Sequence, residues 1–367
     1  MKEEKHTCDI CHEERDLSEL TYFDESYLCE DCLRRETFIC RDCGDRHWND
    51  DSADGDLCQT CYDEDYVRCE RCDAVIHYDD ACYHEDEEYH DHPYCRDCFD
   101  MDEIIHDYYY KPEPIFYGDG PRYLGVELEL DDGGENEFCA SKLLEIANNG
   151  CERMYIKHDG SLDDGFECVT HPMTLDYHIN QMPWRAILNK AVAKGYLSHQ
   201  AGTCGLHVHI SRNALGANYE EQEATIAKIL YFYEKFWNEI LTFSRRTESQ
   251  VEHWARRYGG EIINPKETLK HAKNSHMGRY AAVNLENDAT IEMRIFRGTL
   301  KYSTFIATLQ MVDEICKVAI SLSDEFMLSL TWLDFVKGIA DDKQELINYL
   351  KEKRLYVNEP IRNEVEI

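Results

Sequence analysis

The chain has 367 residues, of which 43% are hydrophobic, so it is long enough for two domains and can form a sizeable core. It carries 39 Lys and Arg against 74 Asp and Glu, a net charge of −35, and it contains 18 cysteines. No run approaches the ~20 apolar residues that span a bilayer, and the first residues, MKEEKHTCDI, lack the apolar centre of a secretion signal. These properties argue against a membrane-spanning or secreted protein and predict a cytoplasmic one.

The negative charge is concentrated in the first third of the chain. Residues 1–117 contain 11 Lys and Arg against 36 Asp and Glu, a balance of −25, whereas the rest has a balance of −10. Because proteins bind phosphate backbones with Lys and Arg, a nucleic-acid role for this first part is disfavoured. Its acidic surface is either a solvated surface or a docking surface for a basic partner.

Six cysteine pairs of the form C-x-x-C follow one another in the first hundred residues. They are Cys8/Cys11, Cys29/Cys32, Cys40/Cys43, Cys58/Cys61, Cys69/Cys72 and Cys95/Cys98. Without a secretion signal, such cysteines are expected to be metal ligands rather than disulfides. The spacing lets two sulfurs of one tight turn bind a single zinc ion, which prefers four ligands. The pairs therefore predict about three zinc ions in closed, structural sites.

The pairs also form an internal repeat. Units begin at Cys8, Cys40 and Cys69, and the junctions between them, 33–39 and 62–68, have equal length. A constant junction favours tandem modules, each holding one zinc between its own two pairs. Such units resemble zinc ribbons or treble clefs. A cross-braced arrangement, as in RING or LIM modules, would combine the first pair with the third, and this alternative stays open. Residues 1–106 are assigned to three tandem modules.

A stretch rich in proline and glycine follows the cysteine array. Prolines at 112, 114 and 121 and glycines at 118 and 120 make regular structure hard to sustain there. We therefore predict a linker over 107–121. Beyond it the C-x-x-C pattern disappears, and 122–367 is predicted to be a second, catalytic domain.

The second domain has the pattern of an α+β fold. Alternating or apolar runs predict strands at 123–130, 166–170, 205–211, 280–286 and 290–297. Apolar residues at helical spacing predict helices at 141–148, 184–193, 219–245, 302–321 and 343–353.

Polar side chains stand two apart on three of the predicted strands, and side chains at i and i+2 share one face. The pairs are Glu127/Glu129, His207/His209 and Glu292/Arg294, with Glu167 on a fourth strand and Lys157 and Asp159 shortly before it. One such strand alone is typical of a solvent-facing edge. Together, carboxylates and imidazoles form a divalent-metal ligand set, and arginine binds phosphate or carboxylate oxygens bidentately. One sheet face with these groups suits a nucleotide phosphate bridged by Mg²⁺.

The order of these motifs resembles the amidoligase family. The motifs are GVELE, DGSL, GFECVT, CGLHVHIS, RYAAVN and TIEMRIFRGT, between residues 123 and 299. That family is grouped with glutamine synthetase and glutamate–cysteine ligase among the carboxylate–amine ligases. The resemblance implies a glutamine synthetase-like antiparallel sheet with flanking helices. It also implies an enzyme that uses ATP with Mg²⁺ or Mn²⁺ to form an amide through an acyl phosphate. It does not extend to the zinc segment.

The resemblance further implies roles for single residues. Five side chains would bind Mg²⁺ or Mn²⁺ beside the ATP phosphates: Glu127, Glu129, Glu167, His207 and Glu292. Arg294 would hold phosphate, Arg279 or Arg297 would steady the acyl group, and His209 would be the neighbour of His207 or a substrate contact. Lys157 and Asp159 are assigned to the catalytic site as well. Cys204 is taken as structural, because no third group to orient a Cys–His pair is evident.

Three other functions stay open, and one of them is a metal-dependent hydrolysis that needs no ATP. Guanidino kinases share the core architecture, so an ATP-dependent phosphotransferase would use the same sheet face but leave a stable phosphorylated acceptor. Alternatively, the protein is a zinc-dependent adaptor in which a RING-like array recruits partners and the ligase-like domain is non-catalytic. The sequence identifies neither the carboxylate nor the amine, which a small molecule, a peptide or a protein would carry.

Overall fold

The computed structural model describes residues 5–83, 92–99, 104–260 and 263–356. The chain divides into two compact units, residues 1–102 and 103–367. Among the described helices, none combines the length and the hydropathy that crossing a membrane requires.

The first unit consists of short strands and helices. The strands are β1 Lys5–Thr7, β2 Glu14–Asp16, β3 Leu20–Phe23, β4 Ser26–Cys29, β5 Thr37–Ile39, β6 Arg46–Trp48, β7 Ser52–Asp54, β8 Leu57–Cys58, β9 Tyr66–Arg68 and β10 Val75–His77. The helices are α1 Glu30–Glu36, α2 Gln59–Asp65 and α3 Arg96–Phe99.

These elements repeat once per module. An antiparallel strand pair frames the first cysteine pair of each module, β1/β2, β5/β6 and β9/β10. In the first two modules a second hairpin, β3/β4 or β7/β8, leads into a helix, and Cys29 and Cys58 are the N-cap residues of α1 and α2. The equal junctions seen in the sequence are the remainder of a helix followed directly by the next strand.

Consecutive modules pack against each other through aromatic side chains. The Trp48 ring lies 5.1 Å from the Phe23 ring, and Trp48 Nε1 donates to Asp24 Oδ2 at 2.6 Å. Further along, the Arg41 guanidinium lies over the Tyr66 ring at 5.6 Å. The first unit is therefore a series of modules in contact.

The second unit is built on one seven-stranded sheet. Its strands are β11 Ile105–His106, β12 Leu124–Leu130, β13 Met154–Lys157, β14 Phe166–Thr170, β15 Leu206–Ser211, β16 Val283–Asn284 and β17 Thr290–Met293. Their spatial order is β11-β13-β14-β12-β15-β17-β16. The predicted α+β class is confirmed. Every neighbouring pair is antiparallel except β11/β13 at one edge, which is parallel, so the sheet is mixed rather than wholly antiparallel.

Helices pack on the apolar face of this sheet. They are α4 Glu137–Ala147, α5 Leu175–Asn180, α6 Trp184–Ala193, α7 Tyr219–Lys235, α8 Trp237–Ser244, α9 Glu248–Trp254, α10 Pro265–Asn274, α11 Tyr302–Ser321, α12 Asp324–Ser329, α13 Trp332–Lys337 and α14 Gln344–Glu352. Val126 and Leu128 of β12, Val208 of β15 and Phe305 of α11 are buried in one core. The side chains on the opposite face of these strands therefore do not belong to this core.

The boundaries of some elements differ from those predicted. The helix predicted over 219–245 is broken at Phe236, whose backbone leaves helical geometry at φ −108° and ψ 33°. Its buried ring packs 4.8 Å from Phe232 and 5.6 Å from Trp332. Tertiary packing therefore overrides a continuous helical pattern at this point. The strand predicted over 280–286 is reduced to Val283–Asn284, preceded by a single 3-10 turn at Gly278–Tyr280.

The segment predicted as a linker belongs to the second unit. Tyr117 N donates to Pro172 O at 3.0 Å, and Thr174 N donates to Tyr117 O at 3.0 Å. Just before it, β11 adds an edge strand to the sheet, and the His106 and Tyr110 rings stack at 3.6 Å. Residues from 104 onward are thus part of the second unit's structure.

Candidate functional site

Each module of the first unit brings its own four cysteine sulfurs together. The three groups are Cys8, Cys11, Cys29 and Cys32; Cys40, Cys43, Cys58 and Cys61; and Cys69, Cys72, Cys95 and Cys98, with the sulfurs of each group within 4.8 Å of one another. Four thiols at one point suit tetrahedral zinc. The sequential arrangement is the one observed, and the cross-braced alternative is excluded.

Backbone donors favour the thiolate form at the first cysteine of two modules. Burial alone would raise the pKa of Cys8, but the N–H groups of Cys11 and Cys29 lower it to about 6. The pKa of Cys40 is lowered to about 6 in the same way, with Cys58 among its donors. In the same groups, burial raises the pKa of Cys32 to about 12, and a hydrogen bond with Cys58 raises the pKa of Cys61. Zinc binds thiolates, so its binding at these groups would release protons.

In the second unit the sheet register gathers polar side chains on one face. Residues directly opposite each other in paired strands share a face. The facing pairs are Glu127/His207, Glu129/Glu167, His209/Glu292, Lys157/Glu167 and Asn284/Glu292. The same alternation that buries the aliphatic residues of β12 and β15 therefore assembles one continuous polar face across six strands.

His207 lies at the centre of this face. Its Nδ1 is 3.3 Å from Glu127 Oε2 and 3.6 Å from Glu292 Oε1, and its Nε2 is 3.6 Å from Glu129 Oε1. Ligand atoms of Glu127, His207 and Glu292 lie within 4.8 Å of one another, and so do those of Glu129, Glu167 and His207. These are called the first and the second metal group. Both could hold a divalent ion, and they share His207.

Side-chain donors on β16 and directly after β17 orient the Glu292 carboxylate. Asn284 Nδ2 donates to Glu292 Oε2 at 2.8 Å, and Arg294 Nη1 donates to Glu292 Oε1 at 2.5 Å. His209 Nε2 lies 3.1 Å from Glu127 Oε1 and 4.0 Å from Glu292 Oε1. Such outer contacts fix the orientation of a ligand before an ion arrives.

Gly205, just before β15, allows a close approach of three side chains. Its N–H donates to Glu129 Oε2. A Cβ at this position would lie 2.5 Å from His207 Nε2 and 3.0 Å from Arg246 Nη2. Arg246 is buried and donates to the carbonyl of Ile295 at 3.2 Å, so its guanidinium is fixed at the edge of the polar face.

The surroundings of Glu127 and Glu167 shift the pKa values of these two carboxylates in opposite directions. Burial alone would raise the pKa of Glu127, but the imidazoles of His209 and His207 hold it well below its usual range. Burial and the neighbouring Glu127 raise the pKa of Glu167 well above its usual range. Burial would lower the pKa of Lys157, but the carboxylates of Glu167 and Glu127 raise it. Lys157 Nζ lies 3.0 Å from Glu167 Oε2. Acidic groups so close repel one another unless a cation lies between them, so the face fits a divalent metal.

A cavity of about 850 Å³ opens over this face. Four cationic side chains line it: Lys157, Arg246, Arg279 and Arg294. Its volume falls within the range of small-molecule and cofactor sites. Carboxylates able to hold metal, surrounded by guanidinium and ammonium groups, form an environment that suits an anionic ligand bound together with metal.

Most residues predicted for the site line this cavity. They are Glu127, Glu129, Lys157, Asp159, Glu167, His207, His209, Arg279, Glu292 and Arg294. Arg297 is not among the lining residues described by the structure. Its backbone pairs with Gly205 and donates to Ser244 O at 3.1 Å. Cys204 is buried, and burial raises the pKa of its thiol to about 12, which fits the structural role expected for it.

Several lining residues had no signal in the sequence. Arg246 follows a long apolar helical pattern, and Tyr108 and Tyr109 lie within the predicted linker. Asn284 stands in the motif RYAAVN, but only its pairing opposite Glu292 gives it a place in the site. The strand predicted at 280–286 does not indicate Asn284, because its register opposite Glu292 is not evident from the sequence. Nothing in the local pattern indicates Arg246.

Comparison with known proteins bears on the second unit. The sequence profile of a family described as "Putative amidoligase enzyme" matches residues 151–316, which is less than half of the chain and begins after β12. No curated protein has a significantly similar sequence.

One similar solved structure is a bifunctional glutathione synthetase from Pasteurella multocida, with 13% identity and a TM-score of 0.37. That alignment covers 63% of this chain and 46% of the glutathione synthetase chain, so this chain spans less than half the length of that protein. The resemblance to the amidoligase family, predicted from the motifs, is confirmed over the residues that contribute β13 to β17.

Proposed function

We propose that the second unit is a carboxylate–amine ligase that uses ATP and a divalent metal and acts through an acyl phosphate. The observation that carries this proposal is the convergence of five ligand side chains from four strands on two metal groups. Cationic side chains that suit phosphate surround these groups. The family match over 151–316 supports a ligase of the amidoligase type.

The side chains of the two metal groups fit Mg²⁺ or Mn²⁺. Carboxylates are the ligands that Mg²⁺ prefers, and an imidazole is also accepted by Mn²⁺. Glu127 and Glu292 would hold one ion with His207, and Glu129 and Glu167 would hold the other. Bound metal would neutralise phosphate oxygens and so supply electrostatic stabilisation to phosphoryl transfer.

The cationic side chains of the cavity have distinct roles in this proposal. Arg294, whose Nη1 donates to Glu292 Oε1 at 2.5 Å, would bind the phosphoryl group. Lys157, paired with Glu167, and the buried Arg246 add fixed positive charge without reorganising at the moment of reaction. Arg279, whose Nη1 donates to the Tyr108 hydroxyl at 2.5 Å, is positioned to bind the acceptor carboxylate.

The proposed reaction has two steps. A carboxylate oxygen of the acceptor attacks the γ-phosphorus of ATP and ADP leaves. The amine nitrogen then attacks the acyl carbon, and phosphate leaves with the oxygen that came from the carboxylate. We propose Asp159 as the acceptor of the amine proton. Its Oδ1 is held by Ser161 N at 2.8 Å and Ser161 Oγ at 2.6 Å, which fixes the carboxylate in the cavity wall.

The zinc modules have a targeting role in this proposal. Their four-cysteine groups leave no position for a substrate, and their strong negative charge suits a basic macromolecular partner rather than nucleic acid. The acceptor carboxylate and amine would then include groups carried by a peptide or protein. We further propose that the protein acts in the cytoplasm.

A search for condensation products tests the proposal. A cell extract is incubated with the protein, ATP and Mg²⁺, and mass spectrometry searches for species equal to two components less one water. We expect such products together with ADP and phosphate, and none with the Glu292→Gln variant. A phosphorylated acceptor in place of an amide would indicate a phosphotransferase. Absence of any ATP-dependent product would favour a non-catalytic adaptor.

A further inference from the structure

The second unit has another cavity, whose wall is basic although the chain as a whole is strongly acidic. It measures about 480 Å³, and its wall includes Arg245, Lys301 and Lys353 with one carboxylate, Glu352. The whole chain carries a net charge of −35. Among the described residues, none lines both this cavity and the larger one over the metal groups.

Arg245 is placed in this cavity by an unusual backbone. It caps the C-terminus of α8 in the left-handed region, at φ 66°, which a residue with a side chain rarely adopts. Because of this turn, Arg245 and the next residue face different cavities, Arg245 the second and Arg246 the larger one. Strained backbone of this kind persists where the surrounding structure holds it and is often found at binding sites.

The Arg245 guanidinium at this cavity is incompletely satisfied. Arg245 Nη2 donates to the carbonyl of Arg297. The Nε atom of Arg245 is buried and has no hydrogen-bond partner among the residues that the structure describes. An unpaired buried donor costs free energy, and the guanidinium has five N–H donors, of which the Nη groups can serve an acceptor in the cavity.

The remaining wall completes a site for an organic anion. Lys353 extends over the Tyr349 ring at 5.3 Å, and Lys301 Nζ lies 3.3 Å from Glu352 Oε2. Tyr196 and Leu300 supply apolar surface. The volume is that of a small-molecule site, and a guanidinium fork with nearby ammonium groups matches an oxyanion.

We propose that this second cavity binds a small organic ligand through an oxyanion, either a carboxylate or a phosphate, held by Arg245 and Lys353. The proposal is independent of the ligase reaction, because it uses no residue of the metal groups. The second unit would then have a binding site in addition to the larger cavity.

Calorimetric titration of the full, zinc-loaded chain tests the proposal at low ionic strength, where charge pairs are screened least. The probes are inorganic phosphate and glutarate, added without Mg²⁺ to about 10 mM, which is about ten times the dissociation constant of a weak, 1 mM complex. We expect one site per chain. Tighter binding of phosphate would identify the ligand as a phosphate ester, and tighter binding of glutarate as a carboxylate.

Four variants decide where the anion binds. Arg245→Gln and Lys353→Gln should each weaken binding about tenfold, the worth of one charge-assisted hydrogen bond. Lys353 lies at the end of α14, so its variant tests the site even if Arg245→Gln does not fold. Lys337→Gln removes an exposed charge elsewhere, and Arg294→Gln removes one from the larger cavity, and both should bind as the parent does. No binding of either probe, equal binding by parent and Lys353→Gln, or loss in Arg294→Gln would overturn the proposal.

Discussion

At the scale of single residues, the sharing of His207 between two metal groups has a measurable consequence. We expect the zinc-loaded chain to bind one Mn²⁺ at each group. Glu292→Gln removes a ligand from the first group alone and Glu167→Gln from the second alone. Each should weaken one ion by on the order of 100-fold or more, since even outer-shell changes cost up to that much. His207→Gln should weaken both ions, because a neutral imidazole would bind the first ion through Nδ1 while its Nε2–H orients the Glu129 carboxylate of the second group. Electron paramagnetic resonance of free Mn²⁺ measures these occupancies.

A matched control for these variants lies in the same cavity. Glu286 lines it but belongs to neither metal group. Glu286→Gln makes the same change of charge, so it should leave both Mn²⁺ ions bound. If Glu286→Gln loses as much Mn²⁺ as Glu292→Gln, the ions are held by the general negative charge of the cavity and the assigned groups are wrong.

His178 offers a separate prediction on pH. Its Nε2 lies 3.0 Å from Leu124 O, and its Nδ1 accepts from Trp184 Nε1 at 3.2 Å, so the ring is neutral with its proton on Nε2. Burial lowers its pKa from 6.5 to about 4. Between pH 6.5 and about pH 4, His178 is therefore protonated in the unfolded chain but not in the folded chain. Unfolding free energy should fall as pH decreases through this window, by about 3 kcal/mol in total.

Nitrogen NMR of the histidine rings tests this directly, with a His178→Gln variant to assign the signal. We expect a neutral ring protonated on Nε2 at about pH 5, well below the ordinary histidine pKa. Protonation of His178 with a pKa near 6.5 would contradict the buried hydrogen bonds described for it.

At the scale of elements, the segment before β12 makes a prediction about truncation. Ile104 and Ile105 pack on the core, β11 covers the edge of β13, and Tyr108 and Tyr109 line the larger cavity. A fragment beginning at Ile104 should therefore fold and bind ligands like the second unit. A fragment beginning at Pro121 should melt lower by on the order of 5 °C, because it exposes apolar surface and a strand edge.

Thermal unfolding and nucleotide binding of the two fragments provide the comparison. The prediction fails if both fragments melt at the same temperature and bind nucleotide with the same affinity. In that case residues 107–120 would act as the linker that their proline and glycine content suggests.

The zinc modules give an element-scale prediction on metal content. Zinc binding supplies most of the folding free energy of such small units. Cys40→Ser removes one of the four sulfurs of the second module, so bound zinc should fall from three ions per chain to two. Cys151→Ser, outside all three groups, should retain three. Elemental analysis measures both. Retention of three ions by Cys40→Ser would contradict the assignment of that group.

The elements differ in how far the sequence predicts them. Trp184–Ala193 and Tyr302–Ser321 are observed with the predicted bounds, because their apolar spacing agrees with their packing. The polar pairs on β12 and β15 could be predicted because an alternation of two fixes the face. The break at Phe236 and the placement of Arg246 depend on contacts between distant segments, and local patterns do not contain that information.

At the scale of the whole molecule, two units of different construction occur in one chain. The first has little apolar core, and its three cysteine groups take the place of one. The second has a large core beneath a sheet whose other face is polar. The candidate metal ligands differ accordingly, with four-sulfur groups in the first unit and oxygen and nitrogen groups facing a cavity in the second.

The fate of one oxygen atom tests the central claim most directly. The carboxylates of a cell extract are labelled with ¹⁸O, returned to ordinary water, and incubated with the protein, ATP and Mg²⁺. Phosphorus NMR then examines the phosphate released. An acyl phosphate requires that one oxygen pass from the carboxylate to phosphate, so we predict ¹⁸O-labelled phosphate with the parent chain and none with Glu292→Gln. Release of phosphate without the label would contradict the proposed mechanism.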